Sequence, residues 1–289
     1  MNPYRRRFDN QSVFPFEFVY KDTKSAQNEL PNHLHDWYEI AFIYSGSGTF
    51  FIDQAYYDAE PGDLFLIPAN TIHRSFPQQN NPKTATAMFF NASFAYSAPL
   101  GDSYTYLRCF ELAKRERAYR HKLQAEAQTS LIAALDRIQA ELTLQQVGYR
   151  QAVQLEVHRM LLEFSRLDSL AGHHAAGRSS EEMPDWLESS FSYINEHLEQ
   201  AEYLRLIELA KRANVSVAHY SRSFKRFTGM NVTEFVTTKR IIRAKELLRE
   251  KNSNVADIAL ACGFESIPHF HRTFKKLTGT TPAGYKYNE

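Results

Sequence analysis

The chain has 289 residues, with 34 Lys and Arg against 33 Asp and Glu, a net charge of +1. That length suits about two domains. The 43% hydrophobic and 13% aromatic shares supply packed cores and exclude wholesale disorder. No run of about 18 apolar residues marks a membrane span, and the opening MNPYRRRFDNQ lacks the apolar segment of a secretory signal. Two cysteines, Cys109 and Cys262, make neither a disulfide framework nor a zinc cluster, so a reducing cytoplasm is the expected location. The charge is uneven, and that matters more than its sum. Residues 1–183 carry 18 basic and 21 acidic residues, and residues from Tyr203 onward carry 16 and 7. One end of the chain is basic, as a nucleic-acid partner requires.

In chain order, the arm MNPYRRRFDN reads as a frayed terminus; folding over a pocket or touching a second domain are the alternatives. Residues 13–95 then read as short strands. VFPFEFVY, EIAFIYSGSGTFFI and GDLFLIPA are rich in Phe, Tyr and Ile and broken by Gly, Pro, Asn and Asp, as in a sandwich or small barrel. From about Ser103 the punctuation stops. Leu123, Leu131, Leu135, Ile138 and Leu142 recur at helical spacing, as do Leu155, Met160, Leu161 and Phe164, which predicts two long helices breaking near Gly148. These pack on their own domain or serve as dimer helices. Residues 168–183 are small, polar and Gly-containing, and read as a linker. The divisions are therefore a strand-built unit over 1–102, a helical dimerisation segment over 103–167, the linker, and a helical unit over 184–289.

The last third repeats itself. VAHYSRSFKRFTGMNVTEF at 217–235 matches IPHFHRTFKKLTGTTPAGY at 267–285, with Arg222 over Arg272, Phe224 over Phe274, Lys225 over Lys275 and Gly229 over Gly279. Each copy predicts a helix, a tight turn and a second helix. Ser216 and Ser266 suit N-caps, and Gly229 and Gly279 suit left-handed C-caps. By the 3.6 period, Tyr220, Phe224 and Phe227 share a core face, as do Phe270, Phe274 and Leu277. Ala218, Ser221 and Arg222 point outward, as do Pro268, His271 and Arg272. Lys225, Arg226, Lys275 and Lys276 lie toward the helix ends, where phosphates would run. Solvated basic faces would suit a single copy, but packing does not require an Arg twice at one offset, and bidentate Arg is the commonest specific contact to guanine. Between the copies, Val232–Glu250 reads as one helix of ~28 Å, beginning near Thr233. Phe235, Ile242 and Leu247 mark its apolar stripe, and Lys239, Arg240 and Arg243 its basic patch. It can hold two modules near the ~34 Å repeat of the major groove.

Residues 203–286 resemble the DNA-binding domain of the AraC/XylS family of bacterial transcription regulators, through LAKRANVS and YSRSFKRFTG in the first copy, the KRIIRAKELL helix, and IALACGFES with FHRTFKKLTGTTPAGYK in the second. The resemblance implies two helix-turn-helix motifs with base contacts from Ala218, Ser221 and Arg222 and from Pro268, His271 and Arg272. Pro268 and Ala218 depart from this, since neither side chain can donate a hydrogen bond. Upstream, His33, His35, Glu39 and Gly46 read H-x-H-x3-E-x6-G, and Gly62, Pro68 and His73 read G-x5-P-x4-H; together these resemble the two cupin motifs. His33, His35 and Glu39 fall in phase on one strand, with His73 on a facing strand. The expected use is a pocket lined by His33, His35, Trp37, Glu39, Tyr44 and His73, where Trp and Tyr faces suit a sugar and His or Glu its hydroxyls. A metal on His33, His35, Glu39 and His73 is the minor reading.

The architecture expected is thus an all-β cupin-like barrel, a helical dimerisation segment and an all-α domain with two helix-turn-helix motifs. The function expected is that of an effector-responsive regulator, not an enzyme and without a cofactor. Its partners would be double-stranded promoter DNA, a small-molecule effector, RNA polymerase and a second copy of itself. The alternatives are a metal-dependent cupin enzyme with a DNA-binding tail and a constitutive DNA-binding protein whose barrel only dimerises.

Overall fold

Strand-forming residues cluster in the first third of the chain because its Phe, Tyr, Ile and Leu positions alternate, and the alternation becomes two sheets. The computed structural model describes residues 4–5, 8–9, 12–24, 33–97, 100–101, 104–167, 183–249 and 254–287. The strands are β1 (Tyr4–Arg5), β2 (Phe16–Lys24), β3 (His33–Leu34), β4 (Tyr38–Ser45), β5 (Gly48–Ile52), β6 (Ala55–Ala59), β7 (Asp63–Ile67), β8 (His73–Pro77), β9 (Lys83–Phe90) and β10 (Arg120–Lys122). The helices are α1 (Arg108–Glu116), α2 (Ala125–Leu144), α3 (Tyr149–Leu167), α4 (Asp185–Glu196), α5 (Leu206–Arg212), α6 (Val217–Thr228), α7 (Val232–Arg249), α8 (Val255–Ala261), α9 (Ile267–Thr278) and α10 (Pro282–Tyr287), with one 3-10 turn at Ala201–Leu204. No described helix is long and apolar enough to cross a membrane. The chain divides into two compact units, Arg6–Glu182 (the first unit) and Met183–Glu289 grouped with Met1–Arg5 (the second unit). The predicted linker lies, but for Met183, outside the described residues.

In the first unit one sheet has the order β3-β8-β5-β6 and the other β10-β7-β4-β9-β2. Odd positions of β4 and β7 turn inward, where Phe65 stacks on Phe50 of the opposite sheet at 4.4 Å. Even positions turn outward under the helices, where Tyr38 meets Phe110 of α1 at 4.9 Å. Strand β7 is buried on both faces for that reason. Leu131, Leu135 and Ile138 of α2 and Val153, Val157, Leu161 and Phe164 of α3 belong to one continuous core with Ile40, Phe42, Leu64 and Leu66. Each such fully buried side chain contributes roughly 1.5–3 kcal/mol. The boundary drawn at residue 102 therefore crosses a single core, and β10 adds an edge strand beside β7 well beyond it. Helical periodicity alone gave no sign of three strand residues between α1 and α2. The helices break where expected, with Gly148 at φ +84°.

In the second unit the duplicated modules fold as their caps dictate. The hydroxyls of Ser216 and Ser266 accept from the backbone N–H of His219 and His269. Gly229 and Gly279 end α6 and α9 in the left-handed region, at φ +68° and +81°. Helix α7 starts at Val232, the first residue of the expected range, where Asn231 and Glu234 cap one another: the Asn231 side chain accepts from the Glu234 N–H at 2.9 Å, and the Glu234 carboxylate accepts from the Asn231 N–H at 3.0 Å. Its buried stripe is Phe235, Ile241, Ala244 and Leu248, beside the expected Ile242 and Leu247, which are half-buried.

Candidate DNA interface and barrel site

The N-caps and C-caps of α6 and α9 orient both helices alike. Tyr220 and Phe224 are buried on one, Phe270 and Phe274 on the other. The opposite faces expose Ala218, Arg222, Lys225 and Arg226, and Pro268, Arg272, Lys275 and Lys276, with Ser221 and His271 half-buried between them. Each helix thus presents an Arg in mid-helix and a basic pair in its last turn, the layout for one base-edge donor flanked by phosphate contacts. Pro268 stands at the second position of α9 and takes nothing from its hydrogen bonding.

Arg240 and Arg243 correct the expected basic patch on α7. Arg240 Nε donates to the carbonyl of Leu198 at 2.8 Å, and Arg243 Nη2 donates to Glu199 at 2.7 Å. Both are half-buried against the segment that follows α4, and burial pushes the Arg240 guanidinium down from its usual pKa. They face the unit's own chain just past α4, one a backbone carbonyl and the other a carboxylate, a neighbour that helical periodicity cannot identify. Cys262, beside them, is a buried thiol that burial pushes up to about 11, so it is held as an unreactive core residue.

In the first unit the structure joins His35, Glu39 and His73. His73 Nε2 and His35 Nε2 lie 3.0 and 3.1 Å from the same Glu39 oxygen, all three side chains being buried. His35 and Glu39 are not on one strand, contrary to expectation. The chain leaves β3 at Leu34, bends through His35–Trp37 and enters β4 in the opposite sheet. Glu39 pairs with Ile67 and Phe89 there, while His73 begins β8 in the first sheet. The cluster therefore spans the interior. The side chain of His33 lies outside the described residues.

Each imidazole is turned by its other nitrogen. His35 Nδ1 is 2.8 Å from the carbonyl of Trp37, and His73 Nδ1 is 2.8 Å from that of Thr71. A carbonyl only accepts, so each Nδ1 carries the hydrogen and each Nε2 faces the carboxylate. Two neutral rings would oppose lone pairs to an anionic oxygen, so the cluster calls for a shared proton or a cation. Burial pushes the Glu39 carboxyl up, but His73 and His35 together outweigh this and hold it well below the usual range. Burial pushes the His35 imidazole down against the pull of Glu39. The three ligand atoms lie within 4.8 Å of one another, a donor set that fits a nitrogen- and oxygen-binding metal.

Trp37 is buried beside this cluster, but Tyr44 is not part of it. Tyr44 is five residues from Glu39, packs on Phe42 at 5.0 Å and bonds Thr86 through its hydroxyl at 3.1 Å. Period-2 alternation sends it to the outer face. A residue that was not singled out takes its place. Phe8, expected to fray, stacks on Trp37 at 4.4 Å and 11°, and contacts the rings of His35 and Phe89 at 5.2 Å each. Lys83, also not singled out, is buried with its ammonium donating to Ser75 and lying 4.0 Å from the centre of the Phe50 ring. Odd numbering on β9 was the available signal for Lys83; an aromatic residue in a polar arm was the signal for Phe8.

A two-sheet unit with a buried polar cluster, followed by two helix-turn-helix modules with exposed Arg, defines a DNA-binding transcription regulator with a ligand-binding unit. Residues 15–147 match the AraC-like ligand binding domain, and residues 209–288 match a helix-turn-helix domain. The chain is 24% identical over 261 residues to the HTH-type transcriptional activator RhaS of Escherichia fergusonii, covering 90% of this chain and 89% of that protein. It is 24% identical over 263 residues to the HTH-type transcriptional activator RhaR of Pectobacterium atrosepticum, covering 91% and 88%. It is 36% identical over 96 residues to the probable transcription factor PqrA of Proteus vulgaris, covering 33% and 79%. This chain belongs to the AraC family of transcription regulators.

Proposed function

We propose that the chain is an effector-responsive, sequence-specific regulator that senses a small molecule of the sugar class and transmits the signal to promoter DNA. The observation that carries this is the matched exposure of Arg222 and Arg272 on two identically capped helices. The barrel supplies the sensor. Trp37 offers an aromatic face to a sugar ring, and the His35–Glu39–His73 cluster offers hydrogen-bonding groups to its hydroxyls. Effector binding shifts the balance between two arrangements of the chain that differ in DNA affinity. A second copy would pair through the α2–α3 hairpin, where Leu144, Val147 and Leu155 are exposed and a groove of about 230 Å³ is floored by Leu131, Ala134 and Met160. The dimer would then engage RNA polymerase from adjacent half-sites.

The experiment is a thermal-shift screen of sugars on the purified full chain, followed by gel shifts on DNA selected from a random pool. A hit should change operator affinity by about 5–150-fold, the usual range of coupling between sites. If no sugar shifts either the melting or the DNA affinity, the sugar reading fails.

The second reading is a metal-dependent enzyme with a DNA-binding tail, and the convergence of the three ligand atoms favours it. His35 and His73 would bind the ion through Nε2 and Glu39 through a carboxylate oxygen, and the ion would supply Lewis acidity. Stoichiometric metal in the purified protein, together with turnover that chelation abolishes, would establish it; full effector response by metal-free protein would dismiss it.

A further inference from the structure

The two helix-turn-helix modules are joined twice. The first joint is α7, an 18-residue helix. Its C-terminal half shares a core with α8 and α9 through Ile241, Ala244, Leu248, Ile258 and Phe274, while α4 packs on the first module through Trp186 on Tyr220 at 5.3 Å and Phe191 on Phe224 at 5.4 Å. Through these contacts the helix sets the distance between the modules.

The second joint is lateral. The segment after α4 lies directly on the turn of the second module. Gly263, at φ +78°, has room for no side chain: a Cβ there would sit 2.5 Å from the carbonyl oxygen of Leu198, 2.8 Å from that of Glu199 and 2.9 Å from Arg240 Nη2. Arg240 Nε holds the Leu198 carbonyl, and Arg243 holds the Glu199 carboxylate. The segment therefore reaches from the core of the first module to the turn of the second, and α7 supplies the two cations that fasten it.

We propose that Arg240, with Arg243, is a positioning residue for DNA recognition. It fixes the rotation of α9 relative to α6, so that the protein accepts one spacing between the two DNA elements that these helices read. It touches no DNA and acts through the turn at Gly263. This differs from a phosphate contact, the role that its charge alone suggests.

The test uses the full chain and a DNA fragment selected from a random pool by the wild-type protein. One base pair is then inserted between the two elements, which turns one against the other by ~35° at about 10.5 base pairs per turn. Wild-type protein should lose about 100-fold in affinity on the insertion, the equivalent of two base contacts at roughly tenfold each. Arg240→Gln should lose tenfold or less on the same insertion, with an unchanged slope of affinity against salt. Gly263→Ala, which leaves every charge in place, should relax the spacing in the same way. Arg243→Glu should relax it too, and adding Glu199→Arg should restore it; this solvent-accessible pair tests the idea even if Arg240→Gln does not fold. The proposal is overturned if these variants keep the wild-type discrimination. It is equally overturned if Arg240→Gln lowers the salt slope by about one with discrimination intact, since Arg240 would then be a phosphate contact.

Discussion

Removing the Phe8 ring should loosen the barrel and tighten its grip on an effector. The ring is half-buried, stacked on Trp37 and in contact with His35 and Phe89. Full burial of a Phe contributes roughly 1.5–3 kcal/mol, so half-burial contributes about 1, and an aromatic pair adds about 0.5–1.5. Ordering the arm opposes this by ~1–2 kcal/mol per residue fixed. The net closing free energy is therefore about 1 kcal/mol, small enough for a ligand to displace the ring. Phe8→Ala should lower the stability of the unit by about 1 kcal/mol, the net closing free energy. It should also strengthen binding of an effector that stacks on Trp37 by about 5–10-fold, since that ligand no longer works against a closed arm. The assay is fluorescence titration in a Trp186→Phe background, which leaves Trp37 as the single tryptophan of the two. Weaker binding by Phe8→Ala would refute the reasoning, because the ring would then be a wall of the site; unchanged binding would place the effector elsewhere.

Arg272→Ala should weaken binding to the selected operator by ~1–3 kcal/mol and relax base preference at the position it reads, measured by gel shift across single-base variants. Lys276→Ala should weaken binding to all sequences alike and reduce the salt slope by about one; wild-type binding by both variants would mean the exposed face of α9 is not the DNA face. Phe274→Ala removes a fully buried ring from the second module and should cost about 3–5 kcal/mol in chemical unfolding of that unit; a change below 1 kcal/mol would contradict the core assignment. Tyr57 donates its hydroxyl to the Arg117 carbonyl at 2.7 Å, and burial pushes its pKa up to about 12 from 10. The folded state holds this proton after the unfolded state has released it, so the stability it contributes is whole below pH 10 and is lost as pH rises toward 12. Tyr57→Phe should therefore flatten the alkaline decline of stability by about 1.4 kcal/mol per pH unit in that window, and equal slopes in both proteins would show that Tyr57 is not the group responsible.

The second unit was legible in its sequence nearly to the residue. The Ser216 and Ser266 caps, the left-handed Gly229 and Gly279 and the buried faces of α6 and α9 are all local, set by hydroxyls, the absence of a Cβ and a 3.6 period within a dozen residues. The barrel was legible as strands but less so as a site. His35, Glu39 and His73 do come together, but not as members of one strand and its neighbour, since the chain changes sheets between His35 and Glu39. Tyr44 has the chemistry of a pocket residue, but its parity with Glu39 sends it to the outer face.

What the amino-acid sequence determined by itself is which side of each helix is buried, where the helices of the second unit start and stop, and that two basic modules repeat. These depend on neighbours a few positions away, and any fold that forms the helices must respect them. Where long side chains direct their charge depends instead on packing between elements distant in the chain. Arg222 and Arg240 look alike in sequence, each a basic residue on the polar side of an amphipathic helix. One is left exposed on the outer face of α6. The other is claimed by the carbonyl of Leu198, 42 residues earlier, because a buried carbonyl past the end of α4 needs a donor and α7 is the helix that lies within reach.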